Sequence, residues 1–238
     1  GAIDGPGLAP FMSMYWGSLM IGRWAGAISV FNPSSQMRKI LLLLILFIPT
    51  TLFAQEYGPH VKITFQSSSE SREFSGTIID SEESKINVLT CWHATMGFTN
   101  PKIMNVRAFA EPVGNTRLSA NITLDVQKAD ADKDIIFLSG PNTLNLKFKR
   151  MKIGKAQLVN NAQTLSCGYS QTDRLITNNS SVVIIKDPFK TPKGATILHV
   201  HSQVIYGMSG GGLVYNEELY GVQSSGKDGI VSYCPADQ

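Results

Sequence analysis

From Tyr57 onward the chain is a succession of short segments with an apolar period of two, a pattern that leaves little room for anything but β-structure. Val61-Lys62-Ile63-Thr64-Phe65 alternates apolar with polar residues, which puts one set of side chains on each face of an extended segment. Phe74-Ser75-Gly76-Thr77-Ile78-Ile79 and Ile86-Asn87-Val88-Leu89-Thr90 follow, with the polar stretches 67–72 and 80–85 as turns between them. Further strands are expected near 122–126, 134–138, 182–186, 196–201 and 212–215. Leu213-Val214-Tyr215 and Leu219-Tyr220-Gly221-Val222 read as a hairpin around Asn216-Glu217-Glu218. With little helical periodicity and no long internal repeat, the expected class is all-β.

The N-terminal part is a different kind of sequence. Arg38 and Lys39 follow Met37, and nine apolar residues, Ile40 to Ile48, lead to Pro49-Thr50-Thr51-Leu52-Phe53-Ala54-Gln55. A basic start, an apolar core and a small residue at the cut are the layout of a secretory signal. The run falls short of the about 20 residues that span a bilayer. The expectation is a signal segment over 37–54, cleaved after Ala54, with transient membrane contact and a secreted or periplasmic product; uncleaved, it would leave the protein membrane-associated. Residues 1–36 are rich in Gly, Met and Trp, with an apolar stretch from Leu8 to Phe31 broken by Arg23. They read as a gene-model artefact upstream of Met37, or else as a piece of a longer precursor.

The chemistry-bearing run is Gly207-Met208-Ser209-Gly210-Gly211-Gly212-Leu213-Val214, a serine between glycines ahead of an apolar strand. It also matches G-x-S-x-G, the nucleophile elbow of an α/β-hydrolase, where the acid and the histidine follow the serine. All four histidines, His60, His93, His199 and His201, precede Ser209, so that reading fails on chain order. It fails on context too, because a hairpin rather than a helix follows the serine. Upstream stand Thr90-Cys91-Trp92-His93-Ala94 and, ahead of Ile135-Ile136-Phe137-Leu138, the two acids Asp132 and Asp134.

A histidine, an aspartate and a serine in that order belong to the two-barrel design among the convergent triads. The region 58–230 resembles the chymotrypsin/trypsin-like serine endopeptidases, of bacterial secreted or viral type. The resemblance implies two packed six-stranded antiparallel β-barrels, the first over about 57–145 and the second over about 146–238, with the active site in the cleft between them. It implies a boundary between Ser139 and Lys152, where Gly140-Pro141-Asn142 gives a turn. Leu89-Thr90-Cys91-Trp92-His93 is similar to the family's Leu-Thr-Ala-Ala-His turn, with Cys91 and Trp92 in place of two small residues. The family's acid directly precedes an apolar strand, which selects Asp134 and leaves Asp130 and Asp132 as solvated turn charges.

On this resemblance His93 is the general base, Asp134 its orienting acid and Ser209 the nucleophile that forms an acyl-enzyme. The backbone N–H groups of Gly207 and Ser209 form the oxyanion hole. Met208 stands where trypsin has the aspartate that pairs with a newly cut N-terminus, so activation by that ion pair is excluded. Gly221-Val222-Gln223-Ser224-Ser225-Gly226 resembles the strand that pairs with extended substrate, which makes Ser224, Ser225 and Gly226 substrate-binding. Gln203 and Gln223 are expected in a neutral polar specificity pocket suited to Gln, Glu or small residues.

The partner implied is a protein or peptide substrate, with the enzyme a monomer and no cofactor. A net charge of +3, with Lys and Arg scattered, does not imply nucleic acid. His199 and His201 have the spacing of two ligands on one strand face, but no third ligand accompanies them, so no metal is expected. Cys91, Cys167 and Cys234 permit one disulfide of undetermined pairing. The non-enzyme alternative is an inactive pseudo-peptidase that binds extended peptides through the 224–226 strand.

Overall fold

The computed structural model describes residues 56–66, 70–79, 82–97, 105–112, 118–184 and 196–237. The upstream segment 1–36, the expected signal segment 37–54 and the end of the expected strand 182–186 lie outside the described residues. The strands are β1 (Glu56–Gln66), β2 (Ser71–Ile79), β3 (Lys85–Thr90), β4 (Asn105–Pro112), β5 (Leu118–Asn121), β6 (Asp125–Asp130), β7 (Ile135–Pro141) and β8 (Lys147–Phe148). They continue with β9 (Lys152–Ile153), β10 (Gln163–Tyr169), β11 (Leu175–Val183), β12 (Leu198–His201), β13 (Gly212–Tyr215), β14 (Glu218–Lys227) and β15 (Ile230–Pro235). A 3-10 turn, Trp92–Thr95, carries His93.

The first sheet runs β5-β4-β1-β2-β3-β7-β6, with β8 added beside β1 in parallel. It therefore holds seven antiparallel strands where six were expected. The second runs β13-β10-β11-β12-β15-β14, and β13 pairs with β14 to close a six-stranded antiparallel barrel, to which β9 adds in parallel.

Period two explains how one chain serves two barrels and the interface between them. Leu213 of β13 points into the core of the second barrel with Val200, Val231 and Tyr233, whereas its neighbour Val214 joins the cluster built around Val61, Ile63, Phe65 and Leu138. Leu219 and Tyr220 of β14 divide in the same way. Residues on both faces of these strands are thus buried, which is why their sequence is a nearly continuous apolar run.

Three strand expectations shift at their ends. Ile122 and Leu124, expected in a strand, form a buried connector between β5 and β6. Gly140 and Pro141 are the last residues of β7, paired with Ile86 and Lys85, and the turn begins only at Asn142. Asn142 stabilises it by giving its side-chain Nδ2 to Leu146 O (2.8 Å) and accepting Leu146 N (3.0 Å). The β13–β14 hairpin closes through Asn216 and Glu217 alone, both with positive φ (49° and 62°), and Glu218 belongs to β14. The three cysteines are buried free thiols.

Candidate active site

His93 sits on the 3-10 turn directly after β3, and Asp134 holds it from the loop before β7. Asp134 Oδ2 lies 2.8 Å from His93 Nδ1, and Oδ1 accepts the His93 backbone N–H at 2.7 Å. The Asp134 carbonyl accepts Trp92 N–H at 3.1 Å. One residue thus fixes the histidine's ring and its backbone together. Asp134 does this from φ +51°, a left-handed conformation that Asp tolerates better than most residues. Asp130 Oδ1 accepts the N–H groups of Asp132 (3.1 Å) and Lys133 (3.2 Å), so Asp130 shapes this loop rather than standing as a solvated charge.

A third donor reaches the same carboxylate. Ser224 Oγ donates to Asp134 Oδ2 at 2.5 Å, from β14 of the second barrel across to the first. An ionised carboxylate has acceptor sites for all three donors. Ser224 was expected to bind substrate; its hydroxyl is committed to Asp134, and the sequence offered only the backbone role. The Phe74 ring packs edge-on against the His93 imidazole, centroids 6.0 Å apart, and completes the wall behind the base.

The Ser209 loop docks against this histidine turn. Ser75 N–H donates to Ser209 O at 2.8 Å, and Gly210 N–H donates to Gln223 O at 2.8 Å. At Gly210, with φ +80°, any Cβ would collide with Ser75 O and Thr90 Oγ1 and press on Cys91 N, so only glycine lets the loop come this close to the end of β3. Gly207, with φ +95°, is packed in the same way under the backbone of Tyr169, Ser170 and Gln171. Within the loop, the N–H groups of Met208, Gly210 and Gly211 are paired with Ile205, Gln223 and Met208 carbonyls. Those of Gly207 and Ser209 donate to no described residue. Two neighbouring unpaired donors beside a serine are what a developing oxyanion requires.

Ser209 Oγ itself forms no hydrogen bond among the described residues. His93 Nε2 instead lies 3.6 Å from Cys91 Sγ. Burial pushes the Cys91 thiol pKa up, with the Asp134 charge adding to it, so the sulfur keeps its proton and can donate weakly to Nε2.

The expected pocket residues separate. Gln203 is exposed, and a Cβ at Gly226 would rest on both methyls of Val204, the residue after it. Gln223 is 5% exposed, with Oε1 accepting Tyr233 Oη at 3.4 Å inside the second barrel, so its side chain is withdrawn from the cleft. Beyond Gln223 the edge of β14 is no longer paired with β13, and a register shift at Ser224 interrupts its pairing with β15. Ser224, Ser225 and Gly226 therefore retain an open backbone edge.

Two neighbouring β-barrels with the histidine and aspartate on the first and the serine loop on the second make up the trypsin-like serine protease fold. Among solved structures the chain is similar to the Rv3671c protease from M. tuberculosis in its active form, with a TM-score of 0.59 and 18% identity over 79% of this chain and 80% of that one. The inactive form of that protease matches with a TM-score of 0.57 and 17% identity, covering 79% and 88%. Deg5 matches with a TM-score of 0.59 and 15% identity, covering 87% and 93%. No family model and no curated protein sequence matches the chain.

Proposed function

We propose that the chain is a serine endopeptidase that cleaves peptide bonds through Ser209, His93 and Asp134. The observation that carries this reading is the conjunction of the Ser224–Asp134–His93 hydrogen-bond chain with the unpaired N–H groups of Gly207 and Ser209. With Nδ1–H donated to Asp134, the imidazole presents Nε2 as its acceptor, and the weak Cys91 thiol contact there gives way to the Ser209 hydroxyl when substrate is bound. Ser209 Oγ bonds to the scissile carbonyl carbon as its proton passes to Nε2, and the carbonyl oxygen becomes an oxyanion facing the two amides. Collapse breaks the C–N bond while the imidazolium gives its proton to the leaving amine. Water then adds to the acyl-enzyme with His93 again taking the proton, and collapse breaks the ester bond to Ser209 Oγ as the imidazolium returns that proton to it, releasing the acid product.

Substrate joins the open edge of β14 at 224–226 as an added strand, and the site needs no cofactor. Gln203 and Val204 bring no carboxylate to the specificity pocket, which favours neutral residues over Lys or Arg. The bond-free Ser209 Oγ and the Cys91 contact at His93 Nε2 favour the second reading, a pseudo-peptidase that only binds extended peptides.

Labelling of the full chain with a fluorophosphonate probe separates the two. The peptidase reading expects labelling of wild type that disappears in Ser209→Ala and falls at least 100-fold in His93→Ala, the scale general base catalysis supplies. A folded wild type that stays unlabelled would establish the pseudo-peptidase.

A further inference from the structure

In β1 the alternation that sends Val61, Ile63 and Phe65 into the core assigns Lys62 to the opposite face, yet Lys62 is 2% exposed. Its ammonium lies 2.6 Å from Glu73 Oε2 on β2 and also hydrogen-bonds Asp173 Oδ1, a residue of the second barrel. Both acids are about half exposed, and the lysine between them is enclosed. Burial pulls the Lys62 pKa down, but the hydrogen bonds and charges of Asp173 and Glu73 together raise it above the ordinary lysine value, so Lys62 is charged at neutral pH. A long flexible cation is rarely enclosed unless it is paired, and this one is paired across the two barrels.

What it grips is the turn joining β10 to β11. Ser170 N–H donates to Arg174 O (2.9 Å), Asp173 N–H donates to Ser170 O (3.2 Å), and the Ser170 and Thr172 hydroxyls lie 2.9 Å apart, so the turn moves as a unit. Its next residue, Gln171, donates its N–H to Tyr206 O at 3.3 Å, and the backbone of 169–171 roofs Gly207. Glu73 and Gln171 line the same cleft as Gly207 and Ser209. Met208, 1% exposed and uncharged, can hold no ion pair at the serine loop itself, so the order of that loop has to come from its neighbours.

We propose that Lys62 is the positioning residue of the oxyanion loop: anchored in the first barrel, it grips Asp173 and so presses the 170–174 turn onto Tyr206 and Gly207. The grip is built into the fold and needs no cut N-terminus. The proposal rests on the peptidase reading. It assigns the cross-barrel arm, Lys62 to Asp173, to catalysis and the within-barrel arm, Lys62 to Glu73, to neutralising the lysine.

Asp173→Asn separates the arms. Asp173 has φ +58°, a conformation asparagine shares, so the substitution removes the charge without straining the turn, and Glu73 still neutralises Lys62. The full chain is assayed for acylation by p-nitrophenyl acetate and by a fluorophosphonate probe, with circular dichroism and thermal unfolding alongside. Asp173→Asn is expected to lower the acylation rate about 100-fold with KM within about twofold, the scale of a misplacement of about 1 Å at the reacting centre. Glu73→Gln removes only the within-barrel arm, at a residue that itself lines the cleft, and is expected to lower the acylation rate by less than about tenfold, an order of magnitude short of the Asp173→Asn loss. The double variant Lys62→Met, Glu73→Gln leaves no orphaned buried charge and should reproduce the loss, which keeps the test decisive should Asp173→Asn fail to fold. Asp173→Asn acylating at the wild-type rate, or both single variants falling equally in step with their unfolding temperatures, would overturn the proposal while wild-type labelling left the peptidase standing. A wild type that never labels overturns the peptidase reading and this inference with it.

Discussion

Asp134 shows how much one side chain organises: its two carboxylate oxygens and its carbonyl take the His93 ring, the His93 amide, the Trp92 amide and the Ser224 hydroxyl. Of these, the Ser224 contact can be removed with the least disturbance, because alanine at a half-buried position leaves little cavity and no orphaned donor. A hydrogen bond to a charged group contributes about 1.5–3 kcal/mol, and only the part realised in the transition state counts toward rate. Ser224→Ala is therefore expected to lower kcat/KM about tenfold, chiefly through kcat, in a peptide-hydrolysis assay; unchanged kcat would show that Ser224 serves packing alone. Ser209, His93 and Asp134 could be found in the sequence because each stands in a local pattern. The Asp134 contact of Ser224, and the parts played by Ser75 and Lys62, could not. Ser75 takes Tyr169 N–H at 2.7 Å and gives its hydroxyl to Gly207 O at 3.1 Å, a link across 132 positions that no local spacing encodes.

At the scale of elements, the β13–β14 hairpin turns on two left-handed residues, the geometry of a type I′ turn, for which Asn-Gly is preferred. Here the pair is Asn216-Glu217, and Glu217 carries a left-handed penalty of about 1–2 kcal/mol that glycine lacks. Glycine's greater freedom in the unfolded chain takes back about 0.5–1 kcal/mol. Glu217→Gly is thus expected to stabilise the fold by about 0.5–1 kcal/mol in chemical denaturation, without effect on activity; a loss of stability would mean that the Glu217 side chain holds the turn. The hairpin was legible because alternation on both sides flanked a polar gap, but its register was read one residue long, since the sequence shows polarity at Glu218 and not the sign of φ. Alternation likewise revealed β1, β2, β3 and β13. It gave no strand for β4, β5, β10 or β15, nor for the short β8 and β9, whose two residues each carry no period, and it caught only the last residues of β11, where Thr177 to Ser181 are polar on both faces. Lys62 obeyed the alternation and still ended buried, because its face of β1 meets a second barrel that a period-two reading does not see.

For the whole molecule, the meeting of the barrels contains an acid-sensitive group. His60 of β1 is 7% exposed, its Nδ1 lies 3.2 Å from Thr77 Oγ1, and its ring lies close to Gly212 at the start of β13, which belongs to the other barrel. No carboxylate among the described residues partners it, and burial lowers its pKa from 6.5 to about 4. The folded state therefore keeps His60 neutral through a range in which the unfolded chain takes up a proton. The stability His60 contributes by remaining neutral is complete above about pH 6.5 and declines as pH falls toward about 4, below which no more is lost. A shift of this size corresponds to about 3 kcal/mol, a large fraction of the about 5–15 kcal/mol that holds a domain folded. His60→Gln, neutral at every pH and able to keep a polar atom near Thr77, should show a shallower loss of unfolding free energy between pH 7.5 and 4 than wild type, by about 3 kcal/mol. Parallel slopes would mean that water reaches the imidazole and that the barrels part locally before the fold is lost. A steeper wild-type slope places the acid limit of this two-barrel assembly at the buried seam between its halves.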